Sequence, residues 1–429
     1  MGRRKKRISI KQKNAILGLI IFFAVVVAGF IVAVNASGLL GTMSEKSGVE
    51  KSGNDNREII IRSGEEDTDA GVLEPILGYF KVSFNAMADL KSADLIRLFK
   101  DSTSENAQIN QSALNYLIGL RLSQNNDLHM ANYSVGLSIT EVSESDGMIE
   151  VTVEEDHTVN FAFISDIDSS SSGIKHTFLL DKGPDGYVIV EHTEDEDTFL
   201  MIEEAINKDG NSRGLVDALL SEKSSGIAEL ARAKGEYNSS NEKTTDPSAE
   251  NPYSSGDAVN YAMAWVDPIK VIRNEDDFGI YDDYGGNCNN FISQCLNAGG
   301  IPMDNIGDID TQWKWYDDTV NFDEIPSGRS PSWAGVEEFY TYASENTGFG
   351  LKAVVGDNVY SGRPGDVLQF AKDGDWVHSV IITEVVKDDQ GNVLDYLVNS
   401  NTTDRINYPV SAYGYIDLRL IKIMGWNEE

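Results

Sequence analysis

Cysteine and positive charge are both scarce in this sequence. Two of the 429 residues, Cys288 and Cys295, are cysteines, which excludes a disulfide framework and a cysteine-rich metal cluster. The 35 Lys and Arg residues are outnumbered by 69 Asp and Glu residues, so the formal net charge is −34. We therefore expect no nucleic acid partner, because such binding depends on cationic side chains. A hydrophobic fraction of 41% allows real cores, and the length is sufficient for two domains.

Long uncharged apolar runs are rare too, and the clearest one lies near the N-terminus. Residues 15–34 carry no charge and would extend about 30 Å as a helix, which matches a bilayer core. Residues 1–14 contain seven cations and no acid. The positive-inside tendency predicts a cytoplasmic segment at 1–14, one transmembrane helix at 15–34 and an extracellular remainder. A cleaved signal peptide is the alternative, although this run is longer than a typical secretory apolar region.

Composition divides the rest of the chain into four segments. Residues 35–72 are rich in Ser, Gly, Glu, Asp and Asn, which predicts a flexible stalk. Residues 73–235 show two helical patterns, several alternating stretches and two more helical patterns. This order predicts an α+β accessory domain with a curved antiparallel sheet. The polar stretch 236–251 is predicted to be a linker, and 252–429 the last domain.

Histidines are the first place to look for a metal site. His129, His157, His176 and His192 fall in the accessory domain at irregular spacing, and no twelve-residue calcium loop is present. We interpret them as surface or half-buried imidazoles. The sequence therefore predicts no metal and no cofactor.

The most distinctive segment lies in the last domain, where residues 284–302 read YGGNCNNFISQCLNAGGIP. Asn287 is a favourable N-cap, apolar residues recur at helical spacing, and the second glycine pair is a typical stop. Cys288 is therefore predicted to open a helix, where backbone N–H groups and the macrodipole favour a thiolate. Cys295 lies two turns further on, too far away for a disulfide.

A cysteine nucleophile needs a base, and His378 is the single histidine of the last domain. It lies in 376–383, the second strand of a predicted hairpin. The next alternating stretch, 396–401, places Asn399 and Asn401 on one face beside the histidine strand. From the residues alone, either asparagine could orient the imidazole.

These features together resemble a known family over residues 252–426. The resemblance is carried by Tyr253, Ala258, Tyr261, Ala262, Trp265, the cysteine helix, AGGIPM at 298–303, GDV at 365–367 and the pair His378–Ser379. In this order they are similar to the amidase domain of the papain-like cysteine peptidase superfamily. The resemblance implies an α+β fold in which a nucleophile-bearing helix packs on an antiparallel sheet. That sheet carries the histidine and a third polar residue.

The resemblance also assigns roles to individual residues. It implies Cys288 as nucleophile, His378 as general base and then acid, and Asn401 as the residue that orients the ring.

Two positions depart from the family pattern. Asn287 stands where the family usually has Asp, and this removes a charge that would oppose a thiolate. Asn401 stands where the family often has His, so Asn399 and Asp404 are alternatives for the third role.

We therefore expect a membrane-anchored, extracytoplasmic cysteine amidase or peptidase that works without a cofactor. Its chemistry would be hydrolysis of an amide bond through a thioester acyl-enzyme, and the family implies peptide or peptidoglycan of the bacterial cell wall as substrate. The lipid bilayer would be contacted through residues 15–34. Two alternatives keep the same fold: a catalytically inactive wall-binding or assembly module, and an acyl transferase that passes the thioester to an amine.

Overall fold

The computed structural model of the protein describes residues 56–64, 68–184, 186–209, 214–240, 246–282, 285–316, 328–372 and 374–429. The predicted cytoplasmic segment and the predicted transmembrane helix lie outside these ranges. Within them, no helix is both long enough and apolar enough to cross a bilayer.

After β1, two helices precede four strands in the first half and two more helices follow, in the order that the sequence predicts. The elements are β1 (Arg57–Ser63), α1 (Ala70–Asp89), α2 (Glu105–Leu122), β2 (Met130–Ser145), β3 (Met148–Phe161), β4 (Ser169–Gly183), β5 (Gly186–Glu194), α3 (Asp197–Asp209) and α4 (Leu215–Ser239). Side-chain caps start both early helices: Asp69 accepts the N–H of Gly71 at 2.9 Å, and Ser104 accepts that of Ala107 at 3.2 Å.

The second half places its helices before most of its strands. The elements are α5 (Ser255–Ala264), α6 (Cys288–Ala298), α7 (Pro331–Ala334), α8 (Val336–Glu345), β6 (Gly350–Val355), β7 (Val367–Lys372), β8 (Asp375–Lys387), β9 (Val393–Ser400), β10 (Asp404–Pro409) and β11 (Asp417–Asn427). The predicted cysteine helix and the predicted histidine hairpin, here α6 and β7–β8, are both present.

One large sheet joins the two halves. Its strand order is β1-β2-β3-β4-β10-β9-β8-β7-β11-β6, and β5 pairs with β4 beside this path. Strand β10 makes the junction, because Arg405 pairs with Ser171 of β4 on one side and with Ser400 of β9 on the other. The α+β class is confirmed, with a sheet that is largely antiparallel. The sheet is continuous where the sequence predicts two separate domains.

The predicted stalk and linker contain more structure than their composition indicates. Part of the stalk is strand β1, which pairs with β2 in parallel and packs Ile59 and Ile61 against the core. Helix α4 continues to its end at Ser239, inside the predicted linker. Further along that linker, Asn251 donates its N–H to the Trp426 carbonyl at 2.9 Å. Where the structure describes them, these segments form backbone hydrogen bonds with β2 and β11.

The strands near the junction have a different core on each face. On β8, Val380 and Ile382 belong to the core that α1 and α2 cover, whereas Ile381 packs with Phe291 of α6. Because side chains alternate along a strand, neighbouring residues of β8 face different halves of the protein.

A buried network of histidines and acids connects the strands beneath α1 and α2. Glu155 accepts hydrogen bonds from His157 at 2.6 Å and from His176 at 3.0 Å, and His176 also lies 3.2 Å from Glu194. Burial alone would raise the pKa of Glu155, but these bonds hold it at about 2. Burial would lower the pKa of His176, yet Glu155 and Glu194 raise it to about 10.

We expect Glu155→Gln to lower the free energy of unfolding by about 3 kcal/mol, because it leaves the buried His176 charge with one partner fewer. The contribution of Glu155 to the free energy of unfolding is present above pH 4.5 and is lost as the pH falls towards 2. The His176 contribution is complete below pH 6.5 and is lost as the pH rises towards 10. The decrease in the free energy of unfolding caused by Glu155→Gln should therefore be largest between pH 4.5 and 6.5. Urea unfolding measures it.

The matched control is Glu150→Gln, which alters an exposed acid on the same strand. It should change the free energy of unfolding by less than about 0.5 kcal/mol. Equal effects of the two substitutions at pH 5.5 would contradict the assigned role of the buried network.

Candidate active site

Cys288 is the first residue of α6 and follows a turn made by two glycines. Gly285 and Gly286 have φ values of 95° and 108°, a region that residues with a side chain rarely adopt. The turn brings the backbone N–H of Asn287 to the Thr402 hydroxyl at 2.6 Å. The sequence signal for a helix opening at Cys288 therefore has a clear conformational cause.

Asn287 does not cap the helix with its side chain, which differs from the prediction. Its carboxamide instead accepts the N–H of Tyr281 at 3.3 Å and donates to the side-chain oxygen Oδ1 of Asn401 at 3.0 Å. The backbone carbonyl of Asn287 still accepts the first helical N–H, from Phe291 at 2.9 Å. The residue thus ties the start of α6 to the end of β9.

The other polar side chains of α6 attach the helix to the surrounding loops. Asn290 accepts the indole N–H of Trp333 at 2.8 Å. Ser293 accepts that of Trp313 at 2.9 Å and donates to the Trp333 carbonyl at 2.7 Å. Both tryptophans are fully buried and therefore belong to the core.

Strand β8 is bound to α6 by a buried chain of hydrogen bonds. The Ser379 hydroxyl donates to Asn289 at 3.0 Å and accepts from Gln369 at 3.0 Å. Since Ser379 faces α6, the neighbouring His378 faces the opposite side of the sheet. There its ring lies 6.0 Å from that of Phe370, centroid to centroid.

The structure brings the Cys288 thiol to the peptide bond that joins His378 to Ser379. The backbone N–H of Ser379 lies near enough to the sulfur to favour its charged form. Among the residues that the structure describes, no hydrogen bond joins this sulfur to the His378 ring. The predicted nucleophile and the predicted base are therefore neighbours at one end of β8, with the His378 ring turned towards the other face.

Burial controls the protonation of both groups. It raises the pKa of the Cys288 thiol to about 11, although backbone N–H groups act in the opposite direction. It lowers the pKa of His378 to about 4, against the charge of Asp197. At neutral pH the site therefore holds a thiol and a neutral imidazole. The sequence predicts a lowered thiol pKa at the helix start, but loss of solvation outweighs the helix dipole here.

The three candidates for the third role lie near the site but bind other groups. Asn401 accepts from Asn287, Asn399 donates to the Ala262 carbonyl at 3.2 Å, and Asp404 pairs with Arg273 at 2.8 Å. Within the described part of the chain, none of them has a hydrogen bond to His378. The orienting role of Asn401 stays a prediction.

Asp197 is the charged group that sequence reasoning missed. It is the first residue of α3, in the other half of the protein. Its carboxylate raises the pKa of Cys288 and favours the protonated form of His378. No local pattern marks this residue, because its proximity depends on the continuous sheet.

The residues with metal-ligand geometry lie elsewhere, in the buried network. Donor atoms of His176, His192 and Glu194 all lie within 4.8 Å of one another, and they form the one group of this kind in the described ranges. His129 is separate and contacts Asp127 at 2.6 Å. The histidines thus converge more than their spacing indicates, and hydrogen bonds already use their nitrogens.

We expect Asp197→Asn to lower the pKa of His378 further, because it removes the negative charge that stabilises the imidazolium. An NMR titration of the histidine ring signals measures this directly, without an activity assay. The control is Glu204→Gln, also on α3, whose side chain is 72% exposed and pairs with Lys372. An unchanged or raised His378 pKa in Asp197→Asn would contradict the assignment.

Comparisons with known proteins match one family model and one curated relative. Residues 252–423 match a family described as "Putative amidase domain". A Bacillus subtilis (strain 168) protein named "Uncharacterized protein YhbB" is 37% identical over 131 residues. That match spans 30% of this chain and 37% of the relative.

Two solved structures show a weaker likeness. The intermembrane space region of the chloroplast protein ARC6 has a TM-score of 0.22 and 15% identity, and the match covers 30% of this chain and 96% of that one. A phospholipid-binding protein from Ralstonia solanacearum has a TM-score of 0.19 and 18% identity, over 38% of this chain and 99% of that one. Scores this low do not establish a shared fold. The family resemblance is confirmed: residues 252–423, the C-terminal part of the chain, match the amidase domain family.

Proposed function

We propose that this protein is a cysteine-dependent amidase or peptidase, with a papain-like arrangement of helix and sheet, that cleaves an amide bond in cell-wall peptide. Cys288 is the nucleophile, and His378 is the base and then the acid. One observation carries the proposal. In a chain that matches an amidase domain family, a helix-opening thiol lies against the strand that bears a neutral histidine.

The neutral state of both groups suggests how the reaction starts. As the Cys288 sulfur attacks the substrate carbonyl, its proton passes to His378, which is neutral above pH 4 and can accept it. His378 then protonates the leaving amine, and a thioester remains on Cys288. Water attacks this thioester with His378 as base, which releases the carboxylic acid and restores the thiol. The His378 ring must turn towards the sulfur for these transfers.

Asn401 acts as a positioning residue in this proposal. Through its hydrogen bond to Asn287 it holds the start of α6 and hence the nucleophile. The substrate is a neutral or cationic peptide group, because residues 15–429 carry 28 Lys and Arg against 69 Asp and Glu, a net charge of −41. This charge repels anionic wall polymers over the short distance that salt does not screen.

The test is hydrolysis of purified peptidoglycan by the full chain, with new amino and carboxyl groups identified by mass spectrometry. We expect Cys288→Ser and His378→Ala to lower the rate at least about 100-fold. Cys295→Ala is the matched control, because it removes the other buried thiol, and the rate should stay within about twofold. Equal rates for Cys288→Ser and the wild type would contradict the proposal.

A catalytically inactive wall-binding module is the second candidate. The raised pKa of the Cys288 thiol favours it. The two candidates differ in whether an acyl group ever forms on Cys288. Mass spectrometry of the acid-quenched reaction would detect that thioester. Wall binding with neither thioester nor released amine would support the binding module.

We also propose that residues 15–34 anchor the protein in the cell membrane, with residues 1–14 in the cytoplasm and the catalytic part outside. Protease added to intact protoplasts should then digest residues 56–429. Digestion only after lysis would contradict this orientation.

A further inference from the structure

A cavity of about 120 Å³ lies under α1 and α2, and neither Cys288 nor His378 lines it. Its walls are mainly apolar and include Phe80, Phe84, Leu114, Leu117, Val159 and Phe199. An engineered apolar cavity of about 150 Å³ binds benzene, so this space suits a molecule of about that size.

The acids that line the cavity already have cationic or hydrogen-bonding partners. Glu155 and Glu194 contact His176 at 3.0 and 3.2 Å. Glu196 pairs with Arg405 at 3.2 Å. Each of these three acids therefore already has a partner in the wall, and Glu155 and Glu194 share His176.

Arg121 lines the same cavity and has a different set of contacts. Arg121 is 6% exposed, and its Nε has no hydrogen-bond partner among the residues that the structure describes. Its other contacts are the Met130 sulfur at 3.7 Å, the Phe161 ring at 5.5 Å and a hydrogen bond with Tyr408. In the described part of the chain it forms no ion pair with a carboxylate.

Such a cation is costly to keep in an apolar wall. Burial lowers the pKa of the Arg121 guanidinium, and the neighbouring positive charge of Arg405 lowers it further, although Glu196 and Tyr408 act in the opposite direction. A single negative charge placed in the cavity would offset this cost. A dianion would add a second charge next to Glu194 and Glu196.

We propose that the cavity binds a small apolar monocarboxylate, with its carboxylate on Arg121 and its hydrocarbon part against the apolar wall. Arginine binds carboxylates most strongly when two of its N–H groups face the two oxygens. This site is independent of the proposed amidase chemistry.

The test uses the full chain and calorimetric titration with three probes. Benzoate supplies both features of the ligand, benzamide has the same shape without the charge, and inorganic phosphate has charge without the apolar part. We expect one benzoate site, and at least tenfold weaker binding of the other two probes. Equal binding of benzamide, or tighter binding of phosphate, would overturn the proposal.

Two variants locate the site. Arg121→Met keeps the length of the side chain and should weaken benzoate at least tenfold, whereas Arg97→Met, at an exposed arginine of the same half, should change it less than twofold. In the wild type, benzoate should shift the NMR signals of the His176 ring, which lines the cavity, and leave those of His378 unchanged. A shift confined to His378, or unchanged affinity in Arg121→Met, would refute the assignment.

Discussion

The hydrogen bond between Ser379 and Asn289 is the interaction on which the rest of the candidate site depends. It is fully buried, and the loss of one partner would leave the other without compensation at a cost of about 1–3 kcal/mol. It holds α6 at one distance and in one register along β8. As a consequence the Cys288 sulfur lies next to the backbone of His378. The segment around the cysteine is rich in small polar residues that make hydrogen bonds of this kind.

The continuous sheet makes the two halves chemically dependent on each other. Pairing of β10 with β4 places Arg405 in the wall of the cavity under α1 and α2. It also places Asp197 close enough to His378 for its charge to affect the pKa of the ring. If the first half were joined to the second only by a flexible linker, it could not hold the Asp197 carboxylate near His378. The arrangement gives the first half a physical role in setting the protonation of the second.

Loss of solvation affects the ionisable groups of both the candidate active site and the cavity under α1 and α2. At Cys288 and His378 it favours the neutral forms, and at Arg121 it makes an unpaired charge costly. In the Glu155–His176 network the same burial is overcome, because each charge has a partner within hydrogen-bonding distance. Whether a buried group is charged therefore depends on its partners rather than on its depth.

Local patterns in the sequence determined the early helices, the alternating strands, the histidine hairpin and the helix that opens at Cys288. These follow from turn-forming glycines and from the spacing of apolar residues, which act over a few residues. Only the tertiary structure decided that β10 joins the halves, that Asp197 lies near His378, that Asn287 binds Asn401 and that Arg121 has no carboxylate partner among the described residues. Those outcomes depend on pairing between distant segments and on the solvent it removes, and local spacing contains no information on either.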